Sequence, residues 1–171
     1  MLIIRPATPA DVPLILEFIR ELAEYEREPQ AAVATPADLL RDGFGPEPKF
    51  RVDIAEWLGE PAGFAFYFWN YSTWQGRPGL YLEDLFVRPR FRGKGIGKAL
   101  LVYLARVALK NNCGRLVWQV LDWNTPAIEF YQSLGAENLK EWLTMRVAGE
   151  ALVRLATEHS AVSTQQSAAS D

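Results

Sequence analysis

Apolar positions along this chain follow two periods, and the first half is dominated by the shorter one. Leu2 to Arg5 form a strand-like run ended by Pro6. Pro9-Ala10-Asp11 then opens a helix whose apolar face is Val12, Ile15, Leu16, Ile19, Leu22 and Ala23, close to the helical repeat. It runs out around Tyr25-Glu26, and the stretch from Pro29 to Val33 reads as loop. Thr35-Pro36-Ala37-Asp38 predicts a second helix, with Thr35 as its cap, Pro36 at the first helical position and Asp38 in the first turn. Gly43-Phe44-Gly45-Pro46 stops it. Three strand-like runs follow: Phe50 to Leu58, the aromatic-rich Ala62 to Ser72, and Leu80 to Val87. The turns between them, Gly59-Glu60-Pro61 and Gly76 to Gly79, are of hairpin length, which predicts an antiparallel meander.

Helical periodicity returns in the second half. Gly95 to Lys110 is strongly amphipathic, with Ile96, Leu100, Tyr103, Leu104, Val107 and Ala108 on one face. Arg115 to Leu121 reads as a buried strand. Thr125-Pro126 starts another helix, and Gly135 follows its end. Ala136 to Val147 is expected to hold two last strands, and Glu150 to Ala156 a short helix. The pattern predicts one α+β domain over residues 1–156. From Thr157 the Ser/Thr/Gln/Ala-rich tail, 157–171, has no apolar pattern and is expected to be disordered.

Composition narrows the chemistry. The 171 residues include 49% hydrophobic side chains, enough for a core, and the net charge of −3 argues against a general nucleic-acid binder or a polybasic membrane binder. The lone Cys113 excludes an intrachain disulfide framework and a CxxC site, and reads as a small buried residue. The lone His159 lies in the polar tail, so a folded histidine base, a catalytic triad and a histidine-rich metal cage are not expected. The first residues lack the basic leader of a signal peptide, and no window approaches a membrane span. The expected compartment is the cytoplasm.

Charge is unevenly distributed. Residues 88–98 carry five basic side chains and no acidic one, whereas residues 11–42 carry eight acidic and three basic. The basic stretch, Val87-Arg88-Pro89-Arg90-Phe91-Arg92-Gly93-Lys94-Gly95-Ile96-Gly97-Lys98, joins a strand to a helix. Its glycines let the backbone approach a ligand, and the N–H groups of the helix start form an anion cradle, so a di- or polyphosphate is the natural guest. A Walker A loop fails on glycine spacing and on Ala99 in place of the hydroxyl. A dinucleotide fingerprint fails on spacing and on the missing downstream carboxylate. A glycine-rich turn with a solvated basic face remains as the alternative.

Arg92-Gly93-Lys94-Gly95-Ile96-Gly97 matches the Arg/Gln-x-x-Gly-x-Gly/Ala signature of GCN5-related N-acetyltransferases. The resemblance extends from Ile4-Arg5-Pro6-Ala7 to about Ala156. It is most similar to the diamine (spermidine/spermine) and thialysine branches through Glu21-Leu22-Ala23-Glu24-Tyr25-Glu26, Asp42-Gly43-Phe44-Gly45, Ser72-Thr73-Trp74-Gln75-Gly76, Tyr81-Leu82-Glu83-Asp84 and Leu121-Asp122-Trp123-Asn124. It implies a mixed, mostly antiparallel sheet flanked by helices, acetyl-CoA as co-substrate without a metal, a small cationic amine as acceptor, and a homodimer. A peptide N-terminus or lysine side chain as acceptor, or a non-catalytic acyl-CoA-binding module, are the alternatives.

The same resemblance implies roles. Arg92, Gly93, Lys94, Gly95, Ile96, Gly97 and Lys98 would cradle the pyrophosphate. The backbone of Leu85, Phe86 and Val87 would hold the pantetheine arm and polarise the thioester carbonyl. Asn124 and Ala127 would contact coenzyme A, Asn124 serving equally as a helix cap. Tyr131 would protonate the leaving thiolate, although its reference pKa of ~10 lies above a thiol's ~8.5. An amine with a pKa of ~10.4 is deprotonated in about one molecule in a thousand at neutral pH, a cost of roughly 4 kcal/mol, so a base is needed. Glu83 matches that acid/base position, directly or through water; a strand carboxylate in a salt bridge is its alternative. Asp84 should point to the opposite face from Glu83 unless a bulge intervenes. Tyr25 and Glu26 match the acceptor-binding pair, and Trp74 and Tyr81 could add cation–π contacts. The turn at Gly59-Glu60-Pro61 and the loop at Glu141-Trp142 are shorter than in the relatives.

Overall fold

The computed structural model describes residues 1–158, which divide into two compact units, Met1–Asp122 and the segment from Trp123 onward. His159 and most of the tail expected to be disordered lie outside the described residues.

The first unit runs β1 (Leu2–Pro6), α1 (Val12–Tyr25), α2 (Pro36–Phe44), β2 (Arg51–Trp57), β3 (Glu60–Ser72), β4 (Arg77–Val87), α3 (Ile96–Lys110) and β5 (Leu116–Trp118). Its sheet keeps sequence order, β1-β2-β3-β4-β5, antiparallel through β4 and parallel between β4 and β5. The expected meander is present. Thr35 caps α2 as its sequence predicts: its hydroxyl accepts from the Asp38 N–H at 3.2 Å, and Asp38 accepts the Thr35 N–H at 3.0 Å.

β2 is covered on both sides, because Val52, Asp53, Ile54 and Ala55 are all buried. Strand alternation sorts them. Val52 and Ile54 join Ile15, Phe18, Leu22, Leu39, Phe64 and Phe86 in a core under α1 and α2. Asp53 faces the other way and meets Tyr103 of α3. Stacking of Phe18 on Phe64, with centroids 5.2 Å apart, fixes α1 on its face and is worth about 1 kcal/mol beyond area burial.

Arg88 binds that layer to the end of β4. Its guanidinium donates to Glu21 at 2.7 Å, pairs with Glu17 at 2.7 Å, donates to the Pro61 carbonyl at 3.1 Å and lies 4.7 Å above the Phe18 ring. In the sequence this residue counted only as one of five basic charges.

Two strand expectations need correction. The run Arg115 to Leu121 is a strand only over Leu116–Trp118 and is half-buried, because it pairs solely with Leu80, Tyr81 and Leu82. The β4 ladder is disrupted immediately after Leu82, so the rest of the run has no partner edge. The second unit contains α4 (Thr125–Ser133) and α5 (Gly149–Thr157), and no strand forms between Ala136 and Val147 among the described residues. Its hydrogen bonds include local ones, Ala136 N–H to the Tyr131 carbonyl and Trp142 N–H to the Leu139 carbonyl. A strand exists only against a partner, and among the described residues no ladder includes this stretch. Leu139, Trp142, Leu143 and Met145 are consequently exposed. Among the described residues no helix is long and apolar enough to cross a membrane.

Candidate active site at the β4 bulge and glycine loop

β4 carries the decisive irregularity. Phe66 pairs with Asp84, but the next residue, Tyr67, pairs with Leu82, so Glu83 is an extra residue in the ladder. Paired residues share a face of a sheet. Asp84 therefore lies with Phe66 and Phe86 on the α1 side, whereas Leu82 lies with Tyr67 on the α3 side. The bulge invoked as an exception in the sequence is real, and simple alternation between Glu83 and Asp84 does not apply.

Glu83 is exposed at the crest of the bulge, while Asp84 is half-buried. The Asp84 carboxyl is pushed up to about 7, first by burial and then by the negative charges of Glu83 and Glu26. Burial also raises Glu26, which follows the last turn of α1. Tyr81 is raised by burial and by Glu83. Glu26, Glu83 and Asp84 thus form an acidic cluster joined electrostatically, although among the described residues no acidic, histidine or cysteine group is arranged to hold a metal ion.

Beyond Leu82 the β5-facing edge of β4 has no strand partner among the described residues, leaving backbone groups of Glu83 to Val87 available to a ligand. The glycine loop follows at once. Gly93 and Gly95 have φ of 75° and 77°, and a side chain at either would point into open space; any residue with a Cβ would be strained there for conformational rather than steric reasons. Gly95 is the first cap of α3, with no side-chain oxygen over the free N–H groups of the opening turn. That cradle fits a polyphosphate. Arg92 donates to the Val87 carbonyl at 3.0 Å and lies 4.5 Å above the Tyr25 ring, so one basic residue of the loop also fixes the aromatic at the end of α1. Lys94 lies 5.8 Å from the Trp57 ring.

The first unit thus brings together Tyr25, Glu26, Glu83, Asp84, Leu85, Phe86, Val87 and residues 92–98. Trp74 is 89% exposed on the β3–β4 turn and packs into no core. Asn124 is buried at the N-cap position of α4, without a side-chain capping hydrogen bond, and Ala127 and Tyr131 lie on α4 in the second unit. Cys113 is buried, which raises its thiol and suits a packing residue. Sequence reasoning missed Arg88 as an anchor and Asp53 as a buried carboxylate. Asp53 had a visible signal, an acidic residue in the otherwise apolar run Val52-Asp53-Ile54-Ala55.

A bulged strand, an open strand edge and a glycine-rich helix start form a site suited to an extended ligand that carries a polyphosphate. The model of the Acetyltransferase (GNAT) family matches residues 15–136, and the chain belongs to that family. It is 43% identical over 164 residues to the thialysine N-epsilon-acetyltransferase of Bos taurus, a match covering 90% of this chain and 96% of that one. It is 33% identical over 196 residues to an L-ornithine N5-acetyltransferase of Arabidopsis thaliana, covering 87% and 85%. Among solved structures, an integron cassette protein from the mobile metagenome of V. cholerae matches with a TM-score of 0.77 at 30% identity, covering 91% of this chain and 98% of that one. The protein is an N-acetyltransferase, and its family uses acetyl-CoA as co-substrate.

Proposed function

We propose that this enzyme acetylates a primary amine of a small cationic acceptor, of the diamine or thialysine type. The observation that carries the proposal is the acidic cluster of Glu26, Glu83 and Asp84 at the open edge of β4. Three carboxylates beside a thioester site favour an ammonium ion and disfavour an anionic or neutral acceptor. The names of the relatives, which act on thialysine and ornithine, support the same class.

The chain's residues divide the work. Tyr25 and Glu26 receive the acceptor, one by its ring face and one by charge; Trp74, on the β3–β4 turn, lies outside the Glu26, Glu83 and Asp84 cluster. Glu83 takes up the proton that the ammonium must lose, directly or through water. Asp84, with an affinity matched to neutral pH, shares that role. Residues 92–98 hold the diphosphate, Asn124 and Ala127 the rest of the cofactor, and backbone N–H groups of Leu85 to Val87 polarise the carbonyl. Acetyl-CoA supplies the activated thioester. Tyr131 donates the proton that the departing thiolate requires.

A panel of diamines, polyamines, thialysine, ornithine and lysine-containing peptides, read by release of free thiol, tests the acceptor class. Turnover on small diamines or amino acids with a side-chain amine is expected; turnover on peptides alone overturns it. Tyr131→Phe and Glu83→Gln should each lower kcat by about 100-fold or more, and unchanged rates would remove those assignments. We also read the chain as a homodimer, because Tyr71 stays exposed along β3. Sedimentation equilibrium giving the monomer mass would contradict this.

A further inference from the structure

On the α3 side of the sheet lies a second polar centre that acetyl transfer does not use. Asp53, in the middle of β2, is 1% exposed. Its Oδ1 accepts from the Tyr103 hydroxyl at a long 3.3 Å, and its Oδ2 has no hydrogen-bond partner among the described residues. Beside it is a cavity of about 370 Å³ lined by Asp53 and by the rings of Phe44, Phe50, Tyr67, Trp69 and Tyr103. None of the residues assigned to acetyl transfer lines it.

Asp53 sits badly for a purely structural residue. Burial raises its carboxyl, and only the Tyr67 and Tyr103 hydroxyls act against that. No lysine or arginine contributes to its charge balance. Arg51 lies two residues away and also lines the cavity, but its own side is exposed and it acts on Tyr67 rather than Asp53. An ionised carboxylate in that position is costly without a counter-charge. Aromatic faces are the surfaces that attract an organic cation, and a cavity of this size suits a ligand of small-molecule dimensions.

We propose that this cavity is a binding site for a small organic ammonium ion, whose charge neutralises Asp53 and whose apolar body packs against the surrounding rings. The site is separate from the acceptor cluster at Asp84: paired-residue alternation puts Asp53 on the α3 face and Asp84 on the α1 face. The proposal does not depend on which amine is acetylated.

A suitable probe is N,N-dimethylbenzylamine, a tertiary ammonium with one N–H donor that cannot be acetylated to a stable amide. Its binding to the full chain is measured by calorimetry, with benzyl alcohol as the uncharged control. The expected result is saturable binding of the amine, at least about tenfold weaker in Asp53→Asn, unaltered in Glu83→Gln, and absent for benzyl alcohol. Asp53→Asn should keep acetyltransferase activity with substrate. Should Asp53→Asn fold poorly, the ¹³C shift of the Asp53 carboxyl in the unmutated protein reads the same event, since a bound cation must lower its titration midpoint. Binding that is equal in Asp53→Asn, binding abolished by Glu83→Gln, an unmoved Asp53 midpoint, or no binding at all beyond an ordered water on Asp53 would each overturn the proposal.

Discussion

Asp53 and Asp84 stand on opposite faces of one sheet, and both carboxyls are raised by burial, yet their company differs. Asp53 is alone as a charge, and the Tyr67 and Tyr103 hydroxyls beside it partly restore its acidity. Asp84 is surrounded by its own kind, and Glu83 and Glu26 add to the cost of ionising it. Hydroxyl company offsets part of the cost of ionising a buried carboxylate. Carboxylate company turns one member of the group into a proton acceptor near neutral pH. The same residue type, buried on one face and half-buried on the other, thus meets a different electrostatic environment in each place.

The largest effect that could break this comparison is on stability. Folded, Asp84 keeps its proton up to about pH 7; unfolded, it loses it at about 4. Its contribution is therefore fullest below about pH 4 and is lost as pH rises through about 7, by at most roughly 4 kcal/mol. Asp84→Asn should raise the melting temperature at pH 8 and leave it unchanged at pH 4. Asp53→Asn should show the same sign with a smaller amplitude; a larger one would reverse the ranking. Next in size is catalysis. Asp84→Asn should lower kcat/KM by about 100-fold, equivalent to about 2.7 kcal/mol, and flatten the acidic limb of the pH profile near 7, whereas Asp53→Asn should leave that limb in place. Arg88→Met, which releases the end of β4 from Glu17 and Glu21, should cost about 2 kcal/mol in urea melts and weaken acetyl-CoA binding without altering the Asp53 face. The smallest effect is Tyr103→Phe: about 1 kcal/mol of lost stability and an upward move of the Asp53 midpoint followed by NMR, with no change at Asp84.

Much of the α1 face was legible in the sequence. The helical period of Val12 to Ala23, the Thr35 cap and the three hairpin-linked strands are local patterns, and each formed, although β3 and β4 begin at Glu60 and Arg77, inside the expected turns Gly59-Glu60-Pro61 and Gly76 to Gly79. The glycine loop was equally plain, because positive φ at Gly93 and Gly95 is a property of the residue type. What escaped depends on pairing between distant segments. Nothing within Arg115 to Leu121 says that its partner edge is interrupted after Leu82, and nothing within Ala136 to Val147 says that no ladder among the described residues includes it. Glu83 and Asp84 were both identified as candidates, but which was withdrawn from water depended on a one-residue irregularity in the β3–β4 register. The anchoring role of Arg88 lies in Glu17, Glu21 and Pro61, all remote in the chain.

That irregularity also governs where the chain can change length. Upstream of Glu83, Leu80 and Leu82 turn toward α3; downstream, Asp84 and Phe86 turn toward α1. The two halves of β4 are out of phase by one residue, and Glu83 is the beat that separates them. Deleting it would not merely remove a carboxylate. It would leave Leu82 and Asp84 adjacent, still paired with Tyr67 and Phe66 in ordinary alternation, and so remove the kink that a bulge puts into the strand. The β2–β3 turn at Leu58-Gly59 bears no such phase, because both of its residues lie outside the strands. A residue gained or lost elsewhere in β4 would turn one half of the strand over, so insertions and deletions should accumulate at that turn instead.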